Sequence, residues 1–228
     1  MFGLFKTGAF SVPRWIAILP LLSALACNGA GAAVVIPNPV VDEPMAKSKG
    51  QASMVVAGGC FWGIQAVFQH VKGVQSATAG YAGGEANTAH YEMVGTGTTG
   101  HAESVKIVYD PSKISYGQLL KVFFSVAHNP TELNRQGPDV GEEYRSVIFH
   151  ANEDQKRIAQ AYIDQLNQAK AFPKSIVTQV VPLKGFYPAE AYHQDYAVHH
   201  PDDPYIRFND LPKVEHLREQ LPELYVGK

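Results

Sequence analysis

The chain has 228 residues, 46% hydrophobic and 18% charged, proportions ordinary for a soluble globular protein, and its length favours one domain with tails. Nineteen basic against 21 acidic residues give a formal charge of −2, and no basic stretch is interleaved with aromatics, which argues against a nucleic-acid partner. Repeats of about 20–50 residues and low-complexity runs are absent, which excludes solenoids and arrays.

At the N-terminus, Lys6 and Arg14 precede an apolar run from Trp15 to Ala26, and small residues follow (Ala24, Ala26, Ala30, Ala32, Ala33). Charged, apolar, then small is the order of a secretory leader. The run is short for a membrane span, which needs about 20 residues, so an uncleaved anchor is the weaker alternative. Ala24-Leu25-Ala26-Cys27 also resembles a lipoprotein processing site, with alanine in place of the usual leucine. Residues 1–32 are therefore expected to be a signal peptide, and the protein to be exported to a bacterial periplasm, with lipid anchoring through Cys27 as a variant. Residues 33–52, with Pro37, Pro39 and Pro44, read as a flexible linker. Of the two cysteines, Cys27 and Cys60, the first falls in the processed segment and leaves Cys60 alone.

Met54–Ala57 reads as an apolar strand ended by Gly58-Gly59. A helix follows from about Cys60 to His70, with Phe61, Ile64, Val67, Phe68 and Val71 at three-and-four spacing. Residues 74–80 form a candidate second strand. His101–Tyr109 is a clearer one, with Glu103, Val105, Ile107 and Tyr109 on one face. Ser115 and Gln118 make a capping box before an apolar helix through Val126. Arg145–His150 reads as a strand, and Asn152 caps a helix with the stripe Ile158, Ala159, Tyr162, Ile163 and Leu166. Ile176–Val181 is another strand, and Val214, Leu217 and Leu221 mark a short amphipathic helix in a C-terminal extension, residues 206–228. Alternating strands and helices predict an α+β domain of two layers.

Cys60 carries the strongest chemical signal. Lone cysteines are usually inert core residues. This one stands where a strand turns through two glycines into a helix, and a helix N-terminus favours the thiolate. At the reference pKa of about 8.5 only roughly 3% of a thiol is ionised at pH 7, so a modest downward shift would multiply the reactive form. Trp62 lies out of phase with the core stripe, beside Gln65, Ala66 and Gln69, and suggests one wall of an apolar pocket. Glu103 shares a face with core residues. Desolvation raises a carboxyl pKa, and lifting it from about 4.3 to about 7 costs roughly 3.7 kcal/mol and yields a usable general acid. The G-x-G-x-x-G at Gly95–Gly100 leads into a strand, so it reads as a turn and not as a dinucleotide site. The histidines, His193, His199 and His200 among them, lack zinc spacing and read as solvated.

These residues carry a resemblance. Gly59-Cys60-Phe61-Trp62-Gly63, Gly80-Tyr81-Ala82-Gly83-Gly84, Gly100-His101-Ala102-Glu103, Asp139 through Ser146 and His193-Gln194-Asp195-Tyr196 together resemble the signature of the peptide methionine sulfoxide reductase A family, over roughly residues 53–205. The resemblance implies a one-domain α+β fold, a two-layer sandwich around a mixed central sheet with a ferredoxin-like core. It implies Cys60 as nucleophile, Glu103 as general acid, and Tyr91 and Tyr144 as donors to the sulfoxide oxygen. Asp139 would hold the active-site water network, and Phe61 and Trp62 the substrate methyl group. The substrates implied are proteins or peptides carrying methionine-S-sulfoxide. No bound cofactor is implied, only a thiol reductant, thioredoxin-like or small, acting on a monomer. The chain departs from many relatives in having no cysteine after Cys60, which takes away the usual internal disulfide. Two other classes compete: a cysteine hydrolase pairing Cys60 with His101 or His193, and a non-catalytic module that binds oxidised methionine.

Overall fold

The computed structural model describes residues 1–3 and 35–227, so the expected leader, its cleavage region and Cys27 fall almost wholly outside the described residues. The strands are β1 (Ala52–Ala57), β2 (Val74–Ala82), β3 (Ala102–Tyr109), β4 (Arg135–Gln136), β5 (Asp139–Val140), β6 (Val147–His150), β7 (Gln179–Pro182) and β8 (Phe186–Pro188). The α-helices are α1 (Phe61–Gln69), α2 (Tyr91–Val94), α3 (Tyr116–Val122), α4 (Glu153–Gln168), α5 (Tyr196–His199) and α6 (Leu211–Gln220).

Six strands form one mixed sheet in the order β7-β6-β1-β3-β2-β8, with only β6–β7 parallel, and β4–β5 make a separate two-stranded ribbon. The two-residue side-chain period of a strand divides β1 between two cores. Met54 and Val56 join Val105, Ile107 and the apolar stripes of α1, α3 and α4, whereas Val55 and Ala57 join Ala82, Ala102, Val147 and Phe149 on the other face. Glu103 stands on the α1 side of β3, in line with Val105 and Ile107, and that register sets the whole site.

Local chemistry accounts for the helix ends. Ser115 and Gln118 make a reciprocal capping box, and the Asn152 side chain accepts from the Gln155 N–H. α3 is shorter than its apolar pattern predicts: after Val122 the chain widens into a π-turn, Phe123–Ala127, whose five side chains are all buried. The strand expected at Ile176–Val181 begins three residues later, at Gln179.

Two expectations about the tails need correction. Residues 36–46 are docked, not a flexible linker. The Tyr162 hydroxyl donates to the Pro37 carbonyl at 2.7 Å, the Val40 N–H to Gln165 Oε1 at 2.9 Å, and the Gly117 N–H to Asp42 Oδ1 at 2.7 Å. Prolines restrict the extended backbone, and Asp42 supplies a carboxylate to the N-terminus of α3, so little entropy opposes docking. The C-terminal extension likewise belongs to the domain. Leu217 and Leu221 enter the main core, and the Val226 N–H donates to the His70 carbonyl at 2.8 Å.

Candidate active site

Cys60 is the N-cap residue of α1, reached through a turn that only glycine makes comfortably. Gly59 has φ +99°, and a Cβ there would lie 2.5 Å from the Gln136 side chain. Cys60 itself is 8% exposed. The first N–H of α1, that of Phe61, donates to Glu103 Oε2 at 3.0 Å across the space between helix and β3. The register of β3 and the cap of α1 thus bring nucleophile and carboxyl together.

The electrostatics follow from burial. Glu103 is pushed up to about 8, by desolvation first; the Phe61 N–H opposes this, while the charges of Asp139, Glu143 and Asp210 add to it. The Cys60 thiol is also pushed up, by burial first and then by the charges of Glu103 and Asp210, against the Trp62 N–H and Lys213. This corrects the expected downward shift. The leading N–H of the helix serves Glu103, and desolvation outweighs what remains of the helix dipole at the sulfur. In the resting site the favoured state is therefore a neutral thiol beside a neutral carboxyl, a pair whose titrations are linked.

Tyr91 opens α2, where its N–H donates to Glu190 Oε1 at 3.0 Å, and Tyr144 closes a short 3-10 turn, Glu142–Tyr144. Burial raises both phenols, with further rises from the charges of Glu103 and Cys60, so both stay protonated as donors. Arg145 holds Tyr144 in position. Its guanidinium donates to the carbonyls of Gly100 at 2.8 Å, Glu142 at 3.0 Å and His101 at 3.1 Å, tying the turn to the start of β3. Asp139, at the head of β5, accepts from the Tyr205 hydroxyl.

Trp62 is not the exposed edge of an amphipathic helix, because α1 is covered on its polar side too. Its ring stacks on Tyr196 with centroids 3.8 Å apart and meets Tyr205 edge-on at 6.0 Å. Gln65 donates to the Ala77 carbonyl and to Gln194, which in turn donates to the carbonyls of Ala79 and Ala189. That amide network fixes the segment bearing His193. The expectation that His193 is solvated fails: it is 2% exposed and packs on Phe61, Trp62 and Tyr91 at 4.4–5.8 Å between centroids. Burial lowers its pKa, which keeps the ring neutral. Tyr205, Asp210 and Lys213 escaped sequence reasoning because they lie more than 140 residues beyond Cys60, in short elements without a long apolar period, whereas the matching motif named His193 and Tyr196 but not their packing around Trp62. The one signal was the row of aromatic and histidine residues from 192 to 208.

His101 faces the Gly84 N–H through Nδ1 at 3.2 Å and the Glu85 carbonyl through Nε2 at 3.0 Å, while neither ring nitrogen of His193 has a hydrogen-bond partner among the described residues. Neither histidine is bonded to Cys60 as a hydrolase base would be. A buried thiol, a protonatable carboxyl, two phenols and an aromatic wall instead suit attack on a soft centre whose oxygen must be protonated to leave. A sequence model of peptide methionine sulfoxide reductase matches residues 52–224. The chain belongs to that family. It is 62% identical to peptide methionine sulfoxide reductase MsrA 2 of Mesorhizobium japonicum over 179 residues, covering 78% of this chain and 92% of the relative. A second MsrA 2, from Synechocystis sp., is 52% identical, covering 82% of this chain and 88% of the relative. Among solved structures, methionine sulfoxide reductase A of Corynebacterium diphtheriae aligns with TM-score 0.57 at 31% identity, covering 76% of this chain and 87% of that one. The reductase is thus an oxidoreductase acting on a sulfur group, and it reduces methionine sulfoxide.

Proposed function

We propose that the enzyme reduces methionine-S-sulfoxide, free or in proteins, through a sulfenic acid on Cys60 that an external thiol resets. The observation that carries this reading is the Glu103 carboxyl, buried beside the thiol and raised to about 8. Sulfoxide oxygen leaves only if it is protonated as the thiolate attacks sulfur. A carboxyl still protonated at neutral pH supplies that proton, and Tyr91 and Tyr144 donate to the oxygen as its negative charge grows. The proton lost by Cys60 and that given by Glu103 go to the oxygen, which departs as water. A water then adds to the Cys60 sulfur of the sulfonium intermediate, releasing methionine and leaving sulfenic acid. Asp139 would order that water, and the Phe61–Trp62 wall would take the methyl group and select the S epimer.

One thiol displaces the hydroxyl as water to form a mixed disulfide, and a second releases Cys60. With Cys60 the only cysteine after residue 27, no internal thiol from the folded domain can perform the first step. A small thiol or a thioredoxin-like protein would therefore attack Cys60 itself. The charged–apolar–small order of residues 6–33 supports a signal peptide and export to the periplasm, soluble or lipidated at Cys27, where the enzyme would repair oxidised exported proteins. The antiparallel order β6-β1-β3-β2 supports a ferredoxin-like core.

The test is loss of each methionine sulfoxide epimer with and without dithiothreitol. Continuous turnover of the S epimer only when the thiol is present is the expected result. Turnover without a reductant, or equal use of both epimers, would contradict the reading.

A further inference from the structure

Asp210 and Lys213 form an ion pair of an unusual kind for this protein. Lys213 Nζ lies 3.0 Å from Asp210 Oδ1, and the side chains are 12% and 0% exposed, whereas the Lys156–Glu153 pair at the same spacing is 52% and 83% exposed. Asp210 Oδ2 is buried and has no hydrogen-bond partner among the described residues. Exposed pairs contribute little, and burying a pair incurs a desolvation penalty that an apolar contact would avoid. Packing alone gives no reason for these charges.

Their position does. A Cβ on Gly63 would lie 2.1 Å from Asp210 Oδ1 and 2.7 Å from Lys213 Nζ, so the pair presses on the first turn of α1, three residues after Cys60. The missing side chain of Gly63 is what lets it approach. The charged and titratable groups that act electrostatically with Cys60 are Glu103 on β3, Tyr91 on α2, Tyr144 in its 3-10 turn, Tyr196 on α5, Tyr205, and the Asp210–Lys213 pair. Asp139 and Glu143 act at one remove, on Glu103. Phenols and carboxyls dominate this shell. The ammonium of Lys213 opposes them, lowering Cys60 as Asp210 raises it.

We propose that Lys213, held against the first turn of α1 by Asp210, is a positioning residue that stabilises the thiolate form of Cys60 in the reductase reaction. The proposal rests on Cys60 being the nucleophile, and it assigns Lys213 a task that touches neither substrate nor oxygen.

The experiment measures the pH dependence of Cys60 alkylation by iodoacetamide in the full reduced chain, on a Cys27→Ser background that leaves one thiol. Lys213→Met should slow alkylation near neutral pH and move the midpoint upward. Asp210→Asn should speed it and move the midpoint downward, and Lys213→Arg should hold the parental midpoint. Both uncharged variants break the same ion pair, so a purely structural role would shift them together. If Lys213→Met does not fold, the isosteric Asp210→Asn and the charge-retaining Lys213→Arg decide the matter by the same criteria. Alkylation needs no sulfoxide, so alkylation shifts with unchanged sulfoxide reduction would count against Cys60 as nucleophile and leave the pair's action on the thiol standing. Midpoints that stay put, or move in one direction for both uncharged variants, would overturn the proposal.

Discussion

Cys60→Ser forms no methionine from the sulfoxide, yet it folds at least as well as the parent. A serine hydroxyl stays protonated in any accessible pH range and is a poor nucleophile toward sulfur, so the covalent step is lost outright. The position is nevertheless well suited to serine. Cys60 has the non-helical backbone of an N-cap (φ −54°, ψ 126°) and makes no side-chain capping bond. Serine is a favoured N-cap, and a capping bond is worth on the order of 1 kcal/mol. Activity and stability are therefore expected to move in opposite directions, which a destabilising lesion would not produce. Methionine assays alongside thermal melts check this. A variant retaining a substantial part of the parental rate would remove Cys60 from the mechanism.

Glu103→Gln lowers the rate of sulfenic acid formation by about 10²–10⁴-fold, the usual worth of a positioned general acid. Glutamine keeps the shape and can still accept the Phe61 N–H, so substrate binding should persist while the proton is lost. The pH dependence gives the sign. Glu103 is raised from 4.5 to about 8, so between those values the folded protein holds a proton that the unfolded chain has released. Stability contributed by this group is full below about pH 4.5 and is lost as pH rises through about 8, and the glutamine variant should lack that slope. Thiol reactivity follows the same boundary. Below about pH 8 the two proteins alkylate alike. Above it only the parent carries a carboxylate opposing the thiolate, so the variant should alkylate faster. Denaturant titrations and alkylation rates across pH 5–9 test both statements.

Much of this was legible in the sequence wherever one local rule decided the outcome. The alternation in β3 put Glu103 on the core face, the Gly58-Gly59 break put Cys60 at the start of α1, and Ser115, Gln118 and Asn152 announced their helices. Failures came where tertiary packing overrode local pattern. Trp62, Gln65 and Ala66 look like the solvated flank of α1, but the chain returns from residue 189 onward and covers them. Pro37–Asp42 has the composition of a linker and is docked by single hydrogen bonds to α3 and α4 that composition does not encode. The direction of the Cys60 shift is hidden from the sequence for a related reason. A helix N-terminus can be recognised from sequence, but not that its first N–H serves a carboxylate on another strand.

The mechanism leaves Cys60 as a sulfenic acid with no partner in its own domain to reduce it. Its most direct test is a reaction of reduced protein with excess methionine-S-sulfoxide in the absence of thiol, followed by methionine quantitation and mass spectrometry of the Cys60 peptide. About one methionine per protein is expected, then arrest, with Cys60 heavier by one oxygen atom and converted to a mixed disulfide when a small thiol is added. Continued methionine formation without thiol, or a Cys27–Cys60 disulfide in protein taken from its native compartment, would contradict it.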